Sequence, residues 1–434
     1  MMRQGLLQIQ SGEFQSFGKY SFQSGVGIPI TVSATERKTS LAASFIPSIL
    51  RKSLHRIFFG KRRVCNKEIP PLFSPVTMKP LPKRTFCTAM ASHRKKIVFR
   101  DALTGWFRAE GRDYPWRKTR DPYAILVSES MLQQTRIATV LQRGYYSRWM
   151  ETFPDWGTLA CADEAQVLKL WEGLGYYNRA RNLQKAAQIV HERFADNLPD
   201  DLETVLSLPG VGRYTAGAIM SFAFDQPIPI VDGNVVRVLS RLSAWRDPVD
   251  TPPAIRHFWE LAETLTCLTE PRLYNSAIME LGQRVCTLAS PDCPNCPVKK
   301  WCDAQKQGLI PEIPRKKIAP PPTRIDERVA FVLKNGKILL CPENGNRRKG
   351  LWRMPSISEA ESADLPELCC FEYSITRYRV TLTVFQPSAG CIVDLAANSG
   401  AKWFPFGAYA DLPALGSPYR KALEIASNQK EDIR

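Results

Sequence analysis

Four cysteines crowd one short stretch: Cys286, Cys293, Cys296 and Cys302, separated by six, two and five residues. Thiolates that close along the chain can converge on one centre, and sulfur selects soft metals, either zinc or an iron–sulfur cluster. Structural zinc commonly uses two separated Cys-x-x-Cys pairs. Here only Cys293 and Cys296 form such a pair, so the residues alone leave both metals open. The remaining eight of the 12 cysteines show no framework spacing. With no secretory signal, this pattern points to a reducing compartment and one metal site rather than a disulfide scaffold. Lys299 and Lys300, beside the last ligand, would project from a tight loop toward phosphate.

Two carboxylates stand in settings that suit acid–base work. Glu129 lies in the apolar, helix-patterned stretch 124–135, AILVSESMLQQT. Burial there would raise its pKa and let it act as an acid near neutral pH. Gln133, one turn on, would share its face. Asp232, in IVDGNV (230–235), stands between an apolar run and a glycine. It suits a helix cap and a catalytic carboxylate alike. Between them comes Leu208-Pro209-Gly210-Val211-Gly212, flanked by helical patterns over 201–207 and 213–224. Two glycines in three residues permit a tight turn with φ > 0. Backbone N–H groups of Gly210, Val211 and Gly212 would then face an anion at a helix N-terminus. Such a helix–hairpin–helix grips DNA phosphates without reading sequence.

These residues need elements to hold them. From about 97 to 305 the chain reads as helix after helix, as in 183–195 and 257–268, with no strand alternation. Residues 306–325 are Pro-rich and basic and read as an interdomain linker. Residues 326–434 read as a smaller α+β domain, with a hairpin at Asn335-Gly336 and a β-rich run at 378–385. The net charge of +17 is unevenly placed, since residues 1–95 carry 16 Lys and Arg against 3 Asp and Glu. Three readings fit this Ser- and Gln-rich extension: a transit peptide, a disordered nucleic-acid-binding arm, or translation from a start upstream of Met78 or Met90. No run of about 18 apolar residues is present to suggest a membrane span.

The order SEsMLQQT (128–135), GLGYY (173–177), LPGVGRYTAG (208–217), VDGNV (231–235) and the four-cysteine loop resembles the MutY-type adenine DNA glycosylases of the endonuclease III superfamily. The resemblance spans about 97–305 and continues more weakly to the C-terminus. It implies a mainly α helix-hairpin-helix catalytic region with an iron–sulfur loop, and a C-terminal α+β Nudix-like domain. The region 96–305 would divide into a six-helix module, about 116–226, and an iron–sulfur module, about 97–115 plus 227–305. Cys286, Cys293, Cys296 and Cys302 would hold a [4Fe–4S] cluster. The implied reaction is hydrolysis of the N-glycosidic bond of adenine opposite 8-oxoguanine or guanine in double-stranded DNA. Glu129 would protonate the flipped adenine and Asp232 would stabilise the sugar cation, supported by Asn234. Tyr214 would hydrogen-bond near that pair. It occupies the position where bifunctional lyases of the superfamily place a Lys, which implies a monofunctional enzyme. Trp116, Arg117, Leu132 and Glu280 match the adenine pocket. Tyr176 matches the aromatic wedged into the duplex, and Gln134 a residue filling the opened helix. In the C-terminal domain no Nudix box is present, and Thr376 and Arg377 stand where the family often has Ser and His facing 8-oxoguanine. The protein would act as a monomer, without membrane, in the cytoplasm of a bacterium or the nucleus or an organelle of a eukaryote. Two competing readings remain: a bifunctional glycosylase/lyase on oxidised bases, and a non-catalytic metal-containing DNA-binding protein.

Overall fold

Aspartates and prolines set where the helices begin. In the computed structural model, Asp121 accepts hydrogen bonds from the backbone N–H groups of Tyr123 and Ala124, and Pro122 opens the helix Pro122–Leu132. Asp155, Asp163, Asp201 and Asp232 cap the helices Trp156–Cys161, Glu164–Leu170, Leu202–Ser207 and Gly233–Leu242 in the same manner. The structure describes residues 20–23, 29–32, 86, 88, 90–345, 348–397, 400–407 and 409–431. The readings of residues 1–95 therefore fall largely outside the described residues. The chain divides into two units, Met1–Lys79 and Pro80–Arg434. In the first, β1 (Tyr20–Gln23) pairs antiparallel with β2 (Pro29–Val32). Among the described residues no helix is long and apolar enough to cross a membrane.

In the second unit, the described residues from His93 to Lys306 form no strand. Their apolar faces make two cores. The first gathers residues between Tyr114 and Ala223, with Trp149 edge-on to both Phe153 and Trp171. The second joins Phe86, Met90, Phe99 and Leu103 to residues between Val235 and Ile313. The chain thus contributes the helix His93–Glu110 to the second core, leaves to build the first, and returns at Gly233–Leu242.

Two expected boundaries move. The composition sets the extension at 1–95, but Phe86 and Met90 are buried in the second core. The Phe86 N–H donates to buried Asp303 at 2.6 Å, and its ring meets Phe99 edge-on. The linker, expected over 306–325, is already docked at its start. Leu309 and Ile313 are buried in the second core, and the Val249 N–H donates to the Arg315 carbonyl at 2.9 Å. Isolated apolar residues among prolines and lysines give no periodic signal, so this packing was hidden in a linker-like composition.

The C-terminal region is α+β. β3 (Thr323–Ala330) runs parallel to β8 (Tyr378–Phe385), and β8 pairs antiparallel with β7 (Glu367–Ile375). A second sheet centres on β5 (Lys337–Pro342), which pairs antiparallel with β4 (Leu333–Lys334), β6 (Trp352–Arg353) and β9 (Lys402–Pro405). Asn335 and Gly336, at φ 50° and 66°, make the expected two-residue turn between β4 and β5. Alternation sends Val329, Phe331, Ile338 and Leu340 to a core shared with the helix Ser417–Glu431. Ala330, Val332 and Leu339 point to the opposite core, shared with the helix Ala389–Ala397.

This region is bound to the helical one. Leu351 and Ala414 enter the first helical core. The Tyr177 hydroxyl donates to the Leu415 carbonyl at 3.0 Å, and buried Glu172 accepts the Leu415 N–H at 3.0 Å. Gly350, at φ 77°, lies where a Cβ would come within 2.9 Å of Leu168 Cδ1.

Candidate active site

Glu129 is on the eighth residue of a helix whose neighbours on every side are buried. Its side chain is 5% exposed, and one oxygen accepts the Tyr214 hydroxyl at 2.7 Å. Burial pushes its pKa up to about 7. The Tyr214 hydrogen bond and the Arg117 charge oppose that rise, and the Asp232 charge adds to it. Glu129 faces two spaces. One is a cavity of about 340 Å³ walled by Trp116, Arg117, Ile125, Leu132 and Met279. The other is a long cleft lined also by Tyr214, Asp232, Asn234, Gly210 and Gly212. Trp116 stacks on Tyr114, with ring centroids 5.3 Å apart.

Glu280 is not on the cavity wall. It is 0% exposed and pairs with Arg117, while accepting from the Arg112 N–H and from Arg284, both at 2.9 Å. It holds the Arg117 head where Arg117 can face the cavity. Gln133 departs from expectation only in its backbone. The helix stops at Leu132, and Gln133, with ψ 111°, is its C-cap, yet its N–H donates to the Glu129 carbonyl and it lines the cleft beside Glu129.

Asp232 caps its helix by accepting the Val235 N–H at 2.7 Å, and it accepts Asn234 Nδ2 at 2.7 Å. Burial raises its pKa, and these hydrogen bonds restrain the rise. Arg237 fixes Asn234 in turn, donating to Asn234 Oδ1 at 2.9 Å, to the Gly282 carbonyl at 2.7 Å and to the Cys286 carbonyl at 2.7 Å. Gly282 lies in a π-helical turn, Leu281–Val285, where a Cβ would fall 2.7 Å from Asn234 Cβ.

The hairpin is tighter and more selective than its two glycines imply. Only Gly210 has positive φ, at 79°. Gly212 is extended, at φ −97° and ψ 178°, and is the N-cap of the helix Arg213–Phe222. Val211 donates its N–H to the Leu208 carbonyl at 3.1 Å, so it closes the turn and is not offered to an anion. Gly210 and Gly212 both line the cleft. No other heavy atom lies within 4 Å of a Cβ built on Gly212, so its glycine keeps backbone accessible from the cleft rather than relieving strain.

A further cleft, of about 630 Å³, opens between the helical and C-terminal regions. It brings together Gln134, Tyr176 and Thr376, which are far apart in sequence. Tyr176 is 48% exposed. Arg377 does not line this cleft; its guanidinium lies over the Tyr378 ring and donates to the Tyr378 hydroxyl at 3.0 Å.

Residues 127–264 match the family model described as HhH-GPD superfamily base excision DNA repair protein. Relatives of the chain include the adenine DNA glycosylase of Rattus norvegicus, 46% identical over 229 residues, covering 50% of this chain and 44% of the rat protein. That of Homo sapiens is 46% identical over 220 residues, covering 48% of this chain and 40% of the human protein. That of Arabidopsis thaliana is 36% identical over 317 residues, covering 63% of this chain and 49% of the plant protein. The matches to the rat and human proteins span less than half the length of each. Among solved structures, a thermostable thymine-DNA glycosylase is 29% identical with a TM-score of 0.45, covering 50% of this chain and 99% of that one. The resemblance to MutY-type adenine DNA glycosylases read from the motifs is thus one of homology.

Beside the matched residues stands the cysteine loop. Arg241, buried on the helix Gly233–Leu242, donates to Cys286 Sγ at 3.4 Å and to the Thr287 carbonyl at 2.6 Å, and the Cys302 thiol donates to the Arg241 carbonyl at 3.5 Å. Burial, with the other thiols adding to it, pushes Cys302 up to about 11 and Cys296 up to about 12. Among the described residues, no group of three or more His, Cys, Asp or Glu side chains is arranged to hold a metal ion. The four sulfurs are nonetheless neighbours: the Cys286 charge adds to the rise at Cys293, Cys296 and Cys302, and a guanidinium lies against Cys286 itself. Soft, mutually repelling thiolates of this kind are the donor chemistry a multiply charged metal centre stabilises. Lys299 and Lys300 are both exposed; the Lys299 ammonium donates to the Pro294 carbonyl at 2.6 Å, and Lys300 lies over the Trp301 ring.

Three arginines escaped the sequence reading. Arg237 and Arg241, four residues apart on one helix, carried a weak signal as charges in an apolar pattern. Arg179 carried none, because its partners are backbone carbonyls, some in the turn just before it and others in a distant segment.

Proposed function

We propose that this protein is a monofunctional adenine DNA glycosylase of base-excision repair. The observation that carries the reading is Glu129: a carboxyl with a pKa of about 7, hydrogen-bonded to Tyr214, placed between an aromatic cavity and the cleft that holds Asp232. Neutral adenine is a poor leaving group, and a carboxylic acid that keeps its proton near neutral pH can protonate a ring nitrogen. Duplex DNA carrying adenine opposite 8-oxoguanine or guanine lies along the cleft, with phosphates at the Gly210–Gly212 hairpin. Adenine leaves the stack and enters the cavity beside Trp116, Arg117 and Leu132. Glu129 donates its proton to N7, the C1′–N9 bond breaks, and the electron pair leaves with the base. Asp232, held by Asn234, stabilises the oxocarbenium-like sugar until water adds at C1′ and its proton passes to Glu129. With a phenol at position 214 and no amine there, Schiff-base lyase chemistry is not supplied.

The Cys286, Cys293, Cys296 and Cys302 thiolates would hold a [4Fe–4S] cluster. When bound, it ties four points of the loop together through metal–thiolate bonds, and its binding energy becomes folding energy. The C-terminal α+β region is read as a Nudix-like module facing the base opposite adenine, with Thr376 beside Gln134 and Tyr176 at the second cleft. The test is a labelled duplex with one A:8-oxoguanine pair, half of it treated with hot alkali. Strand scission only after alkali, absent for Glu129→Gln, is the expected result. Scission without alkali, or no product from protein that binds the duplex, overturns the reading.

A further inference from the structure

Arg179 is a half-buried cation without an anion. It lies in the first turn of the helix Asn178–Phe194 and, among the described residues, pairs with no carboxylate. Instead its two terminal nitrogens face carbonyls, while its Nε has no hydrogen-bond partner. Nη1 donates to Ser130 at 2.6 Å, Met131 at 3.1 Å and Gln133 at 2.6 Å. Nη2 donates to Leu174 and Gly175, both at 3.0 Å. The first three carbonyls belong to the end of the helix Pro122–Leu132, where backbone acceptors lack partners and the dipole is negative. The other two belong to the Gly173–Gly175 turn. The guanidinium also lies 5.2 Å from the Trp171 ring centroid and 5.7 Å from that of Tyr176. Burial lowers its pKa to about 10, so it remains charged at neutral pH.

One residue beyond each bonded segment stands a strained one. Gln134 has φ 60° and Tyr176 has φ 48°. Non-glycine residues keep the left-handed conformation only where their surroundings over-determine it. Here the residue before each, Gln133 and Gly175, bonds the same arginine, and Gln134 and Tyr176 line one cleft with Thr376. A planar guanidinium bonds several acceptors in fixed geometry, which an ammonium on a flexible stem does not reproduce.

We propose that Arg179 is a positioning residue: it locks Gln134 and Tyr176 as a preformed pair at the cleft, so that the duplex meets a rigid wedge and filler instead of two mobile loops. The inference rests on the glycosylase reading above. It concerns how the duplex is opened, not the proton transfer at Glu129.

The test combines two readouts on an A:8-oxoguanine duplex with 2-aminopurine beside the mispair. Fluorescence reports unstacking, and single-turnover excision reports chemistry. Arg179→Lys should fold, reduce the unstacking signal, and slow excision by roughly ten-fold. In a Gln134→Ala, Tyr176→Ala background the same change should cost less than about two-fold, because the residues it positions are gone. Gly175→Ala gives an independent variant should Arg179→Lys fail to fold. Its Cβ meets nothing within 4 Å, but its φ of 70° strains the turn that carries Tyr176. It should reproduce the loss with Arg179 intact. Equal losses in both backgrounds, or an unchanged unstacking signal in Arg179→Lys and Gly175→Ala, overturns the positioning role. Absence of adenine excision by the unaltered protein strikes the glycosylase reading instead.

Discussion

At the scale of single residues, Glu129 ties protonation to both function and stability. Its folded pKa of about 7 lies above the ordinary carboxylate value of 4.5, because burial disfavours the charge. The folded state therefore keeps a proton that the unfolded chain has lost. That contribution is full below the ordinary carboxylate range and is gone once pH has risen through 7. It amounts to on the order of 3 kcal/mol. Excision should fall along an alkaline limb with a midpoint near pH 7, measured in single-turnover assays across pH. Tyr214→Phe removes a hydrogen bond that favours the carboxylate, so the midpoint should move to higher pH while excision continues. Glu129→Gln should abolish excision and narrow the difference between melting temperatures at pH 5 and pH 8. An unshifted alkaline limb in Tyr214→Phe would mean that another group sets it. Much of this was legible in the sequence. An acid surrounded by Ile, Leu, Val and Met on a helix has nowhere to be but inside. The position of Glu280 was not legible, because its partners Arg112, Arg117 and Arg284 converge from two segments far apart in the chain.

At the scale of elements, the hairpin separates two uses of glycine that look alike in the sequence. Gly210 is needed for its conformation and its closeness, since a Cβ there would fall 2.7 Å from Asn182 Cβ at φ 79°. Gly212 has an ordinary φ and open space, so what it supplies is access to its backbone. Gly210→Ala should destabilise the fold by about 1–3 kcal/mol. Gly212→Ala should change stability by less than about 1 kcal/mol yet weaken duplex binding. Thermal unfolding and binding at two salt concentrations distinguish the two. A Gly212→Ala protein that binds as tightly as the parent would remove the hairpin from the phosphate contacts. Helix types and most starts were readable, because Asp and Pro at caps act locally. Helix ends were not. The pattern in 257–268 overran a helix that stops at Leu265, and that in 124–135 overran one that stops at Leu132. Burial continues past the first end only through Thr266 and Cys267, with Leu268 exposed, and past the second the chain turns polar and half-exposed at Gln133, Gln134 and Thr135.

For the molecule as a whole, the N-terminal boundary is set by burial rather than by composition. Phe86 and Met90 complete the second core from within a stretch rich in Lys and Arg. Phe86→Ala in the full chain should cost about 3–5 kcal/mol, read by denaturant unfolding. A loss below about 1 kcal/mol would place Phe86 outside the cooperative unit. The docking of the C-terminal region through Leu351, Ala414 and Leu415 was invisible in sequence, since no local pattern marks which apolar residues serve a neighbouring core. The interleaving of the two helical cores bears on how the chain is made. Synthesis proceeds from the N-terminus, and domains tend to fold as they emerge. The first core draws almost all its residues from one continuous stretch between Tyr114 and Ala223, and so is nearly complete as soon as that stretch has left the ribosome. The helix His93–Glu110 emerges earlier but finds its partners only once residues 235–313 have followed. Until then Phe99 and Leu103 are apolar surface awaiting cover, and the nascent chain at that stage is a client for whatever shields such surface in the cell.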